Sequence, residues 1–264
     1  MEALSPQQRS DVLVDYQRRR AIGLRLNAKL VKSLKKEDID EAGNCLGILR
    51  KGVLCFDTED TVAVLMDYAI RHIRRDGRSA IERYLDETPP TDREEAAWLQ
   101  AVSQARYRIL QVEEVYPGFG LRVCDIFRDE TNLLVDVGFS RTAALRSVLA
   151  SYICAFGDYW VTTGAALPVT ADVLKRLVSE FERRFSRKPD NYGMLSQERE
   201  TELATLAIRL CLAGGMSLRV SYGETPRAPH FHRPMASAPT RRQIGRNAPC
   251  PCRSGRKFKI CCLR

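Results

Sequence analysis

The hydrophobic pattern changes between residues 106 and 163 from helical spacing to short strand-like runs, and this change restricts the fold most strongly. Five runs are rich in Val, Ile, Leu, Tyr and Phe: YRILQVEEVY, GLRVCDIF, NLLVDVGF, VLASYICAF and DYWVTTG. Turn residues separate them, and Gly157-Asp158 is typical of a tight hairpin. Five strands in about sixty residues predict a small antiparallel β-barrel of the SH3-like or OB-like kind, because a closed sheet leaves no exposed edge.

Helical patterns flank this stretch on both sides. The predicted helices follow capping residues or carry one apolar stripe at helical spacing. In chain order, one helix begins at Ser5-Pro6, the next spans about 36 to 50, and the next runs from Asp57 or Thr58 to Asp76-Gly77. Another opens at a capping box from Thr91 to Glu94, another follows Thr170, and the last spans about 196 to 213.

The chain is therefore expected to be an α+β protein that is mainly helical, with a five-stranded antiparallel barrel in its middle. The segment from Gly223 to Gln243 contains four prolines among Ser, Ala, His and Arg, and it is too polar to bury a core. This composition predicts a flexible linker. The expected regions are helical 1–104, barrel 105–168, helical 169–222, linker 223–243 and a C-terminal zinc knuckle 244–264.

The net charge of +9 is concentrated at the C-terminus. Residues 226–264 contain ten Lys and Arg and no Asp or Glu. Subtracting these from the 42 basic residues leaves 32 against 33 acidic residues in positions 1 to 225, so the body is nearly neutral. Such asymmetry indicates a tail that binds an acidic partner, whether an acidic protein face, a ribosome or nucleic acid, although a solvated tail gives the same pattern.

A cytoplasmic location without membrane insertion is expected. The segment MEALSPQQRSDVLVDYQRRR lacks the basic head and apolar core of a signal peptide. No apolar run approaches the ~20 residues that cross a bilayer. In the cytoplasm thiols stay reduced, and clustered cysteines bind metal more often than they form disulfides.

Four of the nine cysteines lie within thirteen positions in the segment NAPCPCRSGRKFKICC. Cys250 and Cys252 form one pair, and Cys261 and Cys262 follow after eight residues. Zinc in structural sites takes four thiolates in a closed tetrahedron, and a loop of this length can bring two pairs together. The segment has almost no apolar core, so zinc would supply most of its folding free energy. The spacing therefore predicts one Zn²⁺ per chain.

Two alternatives to zinc remain open. One is redox chemistry, either a vicinal disulfide at Cys261-Cys262 or reactive thiols, although a disulfide between adjacent residues is strained. The other is a different soft metal such as iron, since thiolates do not select zinc uniquely.

The sequence GRNAPCPCRSGRKFKICC resembles the SEC-C motif, the zinc-binding segment at the C-terminus of the preprotein translocase ATPase SecA. The shared features are the Gly-Arg-Asn lead-in, the Pro-Cys-Pro-Cys core, Ser-Gly, an aromatic residue and the final Cys-Cys pair, over about residues 245–262. Two positions differ: Ala248 replaces an acid, and Arg253 replaces a glycine. The rest of the chain contains no phosphate loop of the SecA motor.

The resemblance implies a ligand set and a docking role. Zinc would be held by Cys250, Cys252, Cys261 and Cys262. In SecA the module docks on an acidic chaperone face and on ribosomes. The cations interleaved with the ligands would contact such a partner, and they are Arg253, Arg256, Lys257 and Lys259.

The other chemistry-bearing residues give weaker signals. Cys45, Cys55, Cys124, Cys154 and Cys211 occur singly in apolar or helical stretches and are expected to be buried small hydrophobes. His72 lies on a basic helical segment and is expected at the surface. Without a recognised nucleophile motif or a catalytic histidine context, an enzyme is disfavoured and no catalytic residue is assigned.

Three hypotheses of function follow. The leading one is a zinc-binding adaptor whose basic knuckle docks on an acidic partner. The second is a nucleic-acid-binding protein that uses the basic tail and the barrel. The third is an enzyme whose active site the sequence does not reveal. Salt dependence of binding separates the first two.

Overall fold

Five strands in the middle of the chain close into a barrel that lies between helical segments. The computed structural model describes residues 4–56, 59–185 and 196–214. Within these ranges the helices are α1 (Pro6–Ser33), α2 (Lys36–Leu46), α3 (Glu59–His72), α4 (Ala80–Glu87), α5 (Arg93–Ser103), α6 (Ala171–Phe185) and α7 (Gln197–Ala213). The strands are β1 (Leu49–Arg50), β2 (Val53–Leu54), β3 (Arg106–Tyr116), β4 (Gly120–Asp125), β5 (Glu130–Val135), β6 (Val148–Phe156) and β7 (Tyr159–Pro168).

The barrel has the strand order β3-β4-β5-β7-β6. Four neighbouring pairs are antiparallel, whereas β5 and β7 run parallel, with Leu133 opposite Tyr159 and Leu134 opposite Trp160. The prediction of a small five-stranded barrel is confirmed, but the prediction that it is antiparallel is wrong. Directions cannot alternate around a closed ring with an odd number of strands, so at least one pair must be parallel.

Along each strand, successive side chains point alternately into the barrel and towards its outer face. On β3, Leu110 and Val112 belong to the apolar cluster inside the barrel, whereas Tyr107 and Ile109 pack against the helices. The β6–β7 hairpin reverses at Gly157, which has a φ of 61°. The tight turn predicted at this position is confirmed.

Local signals at the helix ends explain where several helices start and stop. The side chain of Ser5 caps α1, as predicted, by accepting a hydrogen bond from Gln8 N. The prediction that the second helix reaches residue 50 is wrong, because Gly47 adopts a φ of 75° and ends α2. A hairpin of β1 and β2 follows. The fifth helix is capped by Asp92 rather than Thr91, because the Asp92 carboxylate accepts from two backbone amides of the first turn.

The helices and the barrel share their largest apolar cluster. Residues of α2, α3, α6 and α7 belong to this cluster together with residues of the outer face of the barrel, and Leu65, Phe181 and Leu203 are fully buried. A second cluster lies beneath α1, α4 and α5, and a third fills the barrel. The described ranges contain no helix that is both long and apolar enough to span a bilayer.

Candidate functional site

All of the site residues predicted from sequence lie outside the described residues. This applies to the four proposed zinc ligands and to the four proposed docking cations, which are Cys250, Cys252, Cys261, Cys262, Arg253, Arg256, Lys257 and Lys259. The linker predicted at 223–243 also lies outside them. These assignments therefore remain predictions. Among residues 4–56, 59–185 and 196–214, no group of three or more His, Cys, Asp or Glu is placed to hold a metal ion.

The five cysteines of the body differ in exposure. Cys154 and Cys211 are buried as predicted, and burial raises the pKa of each thiol to about 12. Such thiols remain protonated at neutral pH and are poor nucleophiles. Cys45 and Cys124 are half-buried, and Cys55 is exposed. The expectation of burial is therefore wrong for Cys55, which directly follows the short β1–β2 hairpin.

A cavity of about 600 Å³ lies at one end of the barrel. The barrel side of its wall comes from the start of β3, the end of β6 and the start of β7, which are adjacent in register. The helical side comes from the end of α3 and the starts of α4 and α7. Ala101 and residues 103–105, at the end of α5 and its junction with β3, complete the lining. Its volume is within the range of small-molecule sites, about 300–1,000 Å³.

His72 lies in the wall of this cavity, and both of its ring nitrogens are hydrogen-bonded. Nδ1 is 3.0 Å from the Thr201 hydroxyl, and Nε2 is 2.6 Å from the Tyr152 hydroxyl. Thr201 donates its only hydroxyl proton to the Gln197 carbonyl, so it accepts from Nδ1–H of His72. Nε2 then accepts from the Tyr152 hydroxyl. Burial, with the positive charges of Arg71 and Arg74, lowers the pKa of His72 to about 3, so the ring is neutral.

A buried ion pair adjoins His72 on α3. Arg71 Nη1 donates to Asp67 Oδ1 at 2.6 Å, and both side chains are less than one-tenth exposed. The other Asp67 oxygen accepts a hydrogen bond from Thr163 on β7, which ties the helix to the barrel. The Arg71 guanidinium also lies over the Tyr152 ring, 4.6 Å from its centre. Arg71 Nε is buried and has no hydrogen-bond partner among the described residues.

The remaining arginines of the cavity wall differ in how strongly they are paired. Arg108 donates to Asp125 and Glu130 and lies over the Trp160 ring, 4.3 Å from its centre. Arg74 donates to Glu82 and to the Gly77 carbonyl. Arg106 is 38% exposed, and its nearest carboxylate oxygen is that of Glu200, 3.9 Å away and beyond hydrogen-bond distance. Arg106 is therefore the least constrained cation of the wall.

This arrangement favours binding over proton transfer. His72 is neutral and has both nitrogens occupied, and burial raises the pKa of Tyr152 well above its ordinary value. Neither group is tuned to exchange a proton near pH 7. The cavity instead presents guanidinium groups, hydroxyls and small apolar side chains to any molecule that enters it.

The sequence prediction that His72 lies at the surface is wrong. The side chain is largely buried, and its ring packs against Tyr68 with centroids 4.8 Å apart. A signal for this was present, because Leu65, Tyr68 and His72 occur at helical spacing and share one face of α3. The adjacent arginines favoured the wrong prediction, because a run of basic residues is typical of a solvent-exposed helix face.

Comparison with known protein families identifies both parts of the chain. The SEC-C motif matches residues 246–264, which confirms the resemblance predicted from the C-terminal sequence. A family of unknown function, DUF7986, matches residues 10–194 and so covers the part of the body that the sequence left unrecognised. No curated protein and no solved structure is significantly similar to the chain.

Proposed function

This chain belongs to a family of unknown function, DUF7986, and we propose that it acts as a zinc-binding adaptor whose SEC-C motif docks on an acidic protein surface. The observation that carries the proposal is the SEC-C match at residues 246–264, in a tail that has ten cations and no acid. The helical and barrel body then serves as the part that the motif links to its partner.

Four cysteines are a suitable donor set for zinc. Thiolates are soft ligands that bind Zn²⁺ in structural sites, and the basic neighbours in the motif favour the deprotonated thiols. We propose Cys250, Cys252, Cys261 and Cys262 as the ligands. Zinc would supply folding free energy to a segment that has two large apolar residues between its cysteine pairs, Phe258 and Ile260.

The cations between the ligands make the folded motif a basic surface. All four cations lie between the two cysteine pairs, so the fold that zinc imposes would also fix their relative positions. They are Arg253, Arg256, Lys257 and Lys259. A surface of this kind complements an acidic protein face, including one on a chaperone or a ribosome. Nucleic acid is the alternative partner, because basic patches also attract phosphates.

A pull-down at several salt concentrations tests the proposal. The full-length protein should capture acidic proteins or ribosomes from lysate in a zinc-dependent manner. Charge reversal at Arg256, Lys257 and Lys259 should reduce capture at least tenfold while zinc stays bound, because none of the three is a ligand. The matched control reverses three exposed cations of the body, Lys29, Lys175 and Arg176, and should bind normally.

Two results would contradict the adaptor proposal. One is equal loss of capture in the motif variant and the body variant, which would place the docking surface elsewhere. The other is capture of RNA or DNA that persists without zinc and falls steeply with salt, because that behaviour indicates counterion release from phosphates. The second result would support the nucleic-acid-binding alternative.

A further inference from the structure

The cavity at the barrel end has the features of a binding site that is separate from the SEC-C motif. Its volume of about 600 Å³ is much larger than one water molecule occupies. It lies where one end of the barrel, formed by β3, β6 and β7, meets α3, α4 and α7. Ends of small barrels are common positions for ligand sites. Nothing in the proposed adaptor function requires such a cavity.

Arg106 provides a cation at the opening of this cavity. Its guanidinium makes no hydrogen bond to any described residue, and it is 38% exposed. Glu200 is the nearest acid, but its Oε1 already accepts from Arg128 Nη2 at 2.7 Å. The ion pair between Arg106 and Glu200 is too long for a hydrogen bond, so the N–H donors of Arg106 remain available to a ligand. A guanidinium matches a carboxylate or a phosphate in bidentate geometry.

We propose that this cavity binds a small organic oxyanion and that Arg106 contacts its carboxylate or phosphate group. The apolar side chains of the wall receive the organic part of the molecule, and they are Ile81, Ala101, Ala105 and Ile153. Trp160 and Tyr152 add aromatic surface. A bare inorganic anion would leave most of the cavity volume unfilled.

A thermal-shift screen followed by calorimetry tests this site on the full-length protein. The probes are phosphorylated metabolites such as adenosine monophosphate and glucose 6-phosphate, carboxylated ones such as 2-oxoglutarate, and their uncharged counterparts adenosine and glucose. At least one oxyanion should bind with a stoichiometry of one, and its uncharged counterpart should bind at least tenfold more weakly. Whether phosphates or carboxylates bind identifies which oxyanion the site accepts.

Two variants connect that binding to the cavity. Arg106→Gln removes the least constrained cation of the wall and should weaken binding of the oxyanion about 10–100-fold, which is the range for losing a charge-assisted hydrogen bond. Ala155→Trp adds volume at an exposed position of the wall without changing charge, and should weaken binding similarly. Arg176→Gln removes an exposed cation of α6 that does not line the cavity, and should bind as the wild type does.

Three outcomes would overturn the proposal. They are a screen in which no oxyanion binds, binding that Arg106→Gln and Ala155→Trp leave unchanged, and inorganic phosphate that binds as tightly as any organic probe. Circular dichroism and the melting temperature of each variant establish that it is folded. If one variant is unfolded, the other decides the test. Failure here leaves the adaptor proposal unaffected, because the two rest on different residues.

Discussion

Asp125 is a fully buried carboxylate that organises the end of β4. Its oxygens accept from Arg108 and Arg128, each at 3.0 Å, and from the backbone amide of Phe127 at 3.0 Å. Both arginine side chains are largely buried as well. A buried charge that loses its partner cannot recover its hydration, so removal of one member of such a group is far more costly than loss of a surface ion pair.

We therefore expect Asp125→Asn to lower the free energy of unfolding by about 3 kcal/mol, because two buried guanidinium groups lose their shared countercharge. Urea denaturation measures the change. Asp129→Asn is the matched control, since Asp129 is exposed in the same turn and asparagine tolerates its φ of 49°. Equal stability of the two variants would show that Asp125 is not an essential countercharge.

His72 should make the folded protein sensitive to acid. Its pKa is about 3 in the folded chain and near 6.5 when the chain is unfolded. Between these pH values only the unfolded state binds the proton, so the free energy of unfolding decreases as the pH falls from about 6.5 towards 3. From pH 7 to pH 5, His72 should account for a loss of about 2 kcal/mol.

Denaturation curves at pH 7 and pH 5 measure this loss. His72→Gln should show a smaller decrease between the two pH values than the wild type, by about 2 kcal/mol, whatever its stability at pH 7. His230→Gln, in the predicted linker, should behave as the wild type. A wild-type pH dependence retained in His72→Gln would mean that the histidine is accessible to protons in the folded state.

At the scale of elements, α7 is attached to the rest of the body by polar contacts from one face. Glu200 forms an ion pair with Arg128, which follows β4, and Thr201 is hydrogen-bonded to His72. Thr205 accepts a hydrogen bond from the Tyr68 hydroxyl at 2.8 Å. Thr205 donates its own proton to a backbone carbonyl within α7. These contacts lie beside apolar packing by Leu203 and Ala207, so burial strengthens them.

A double-mutant cycle should show that the Arg128–Glu200 pair couples α7 to the barrel. With Arg128→Met and Glu200→Gln, we expect a coupling free energy of about 1–3 kcal/mol, because both side chains are mostly buried. Chemical denaturation of the four proteins measures it. The exposed pair Arg183–Glu180 on α6 is the control and should show no measurable coupling. Similar coupling in both pairs would contradict a special role for burial.

At the scale of the whole molecule, the charge and the cysteines divide the chain into two chemically different parts. Residues 1–225 carry nearly balanced charge, and the basic excess and the clustered thiols both lie after them. The family assignments show the same division, with DUF7986 over residues 10–194 and SEC-C over 246–264. Because all four proposed ligands lie within thirteen residues, metal binding should be a local event in the chain.

We expect purified protein to contain close to one zinc ion per chain and Cys261→Ser to lose most of it, because three thiolates leave the tetrahedron incomplete. Elemental analysis measures both. Cys55→Ser changes an exposed cysteine of the body and should keep its zinc. Chelation should leave the main thermal unfolding transition of the body in place. Full zinc content in Cys261→Ser would rule out the ligand assignment.

Several features of the body were predictable because their signals are local. Ser5 with Pro6, Thr170 and Gly157-Asp158 each restrict the backbone through groups a few residues apart. The prediction that the second helix reaches residue 50 is wrong because it followed the apolar pattern and overlooked a local signal, the glycine at position 47 that ends the helix. The start of the fifth helix was misplaced by one residue because Thr91 and Asp92 are both capping residue types.

The cavity was not predictable, because its residues come from six separate segments. Arg71, Arg106, Tyr152 and Glu200 lie far apart in sequence and share no motif or spacing. Arg71 is buried against an aspartate, whereas Arg106 is partly exposed and has only a long ion pair with Glu200. Which of these an arginine adopts depends on the elements that pack beside it. Such packing is a long-range property of the fold.

The sequence by itself determined the strand-rich middle, the helices around it and the SEC-C motif, because periodicity, capping and ligand spacing act over short distances along the chain. Only the tertiary structure decided that β5 and β7 are parallel, since that pairing arises when the ring of five strands closes. It also decided that His72 is neutral and largely buried. Its neighbour Tyr68 lies on the same helix, whereas Tyr152 comes from β6 and Thr201 from α7. Contacts between distant segments depend on how the whole chain packs, and no local pattern encodes them.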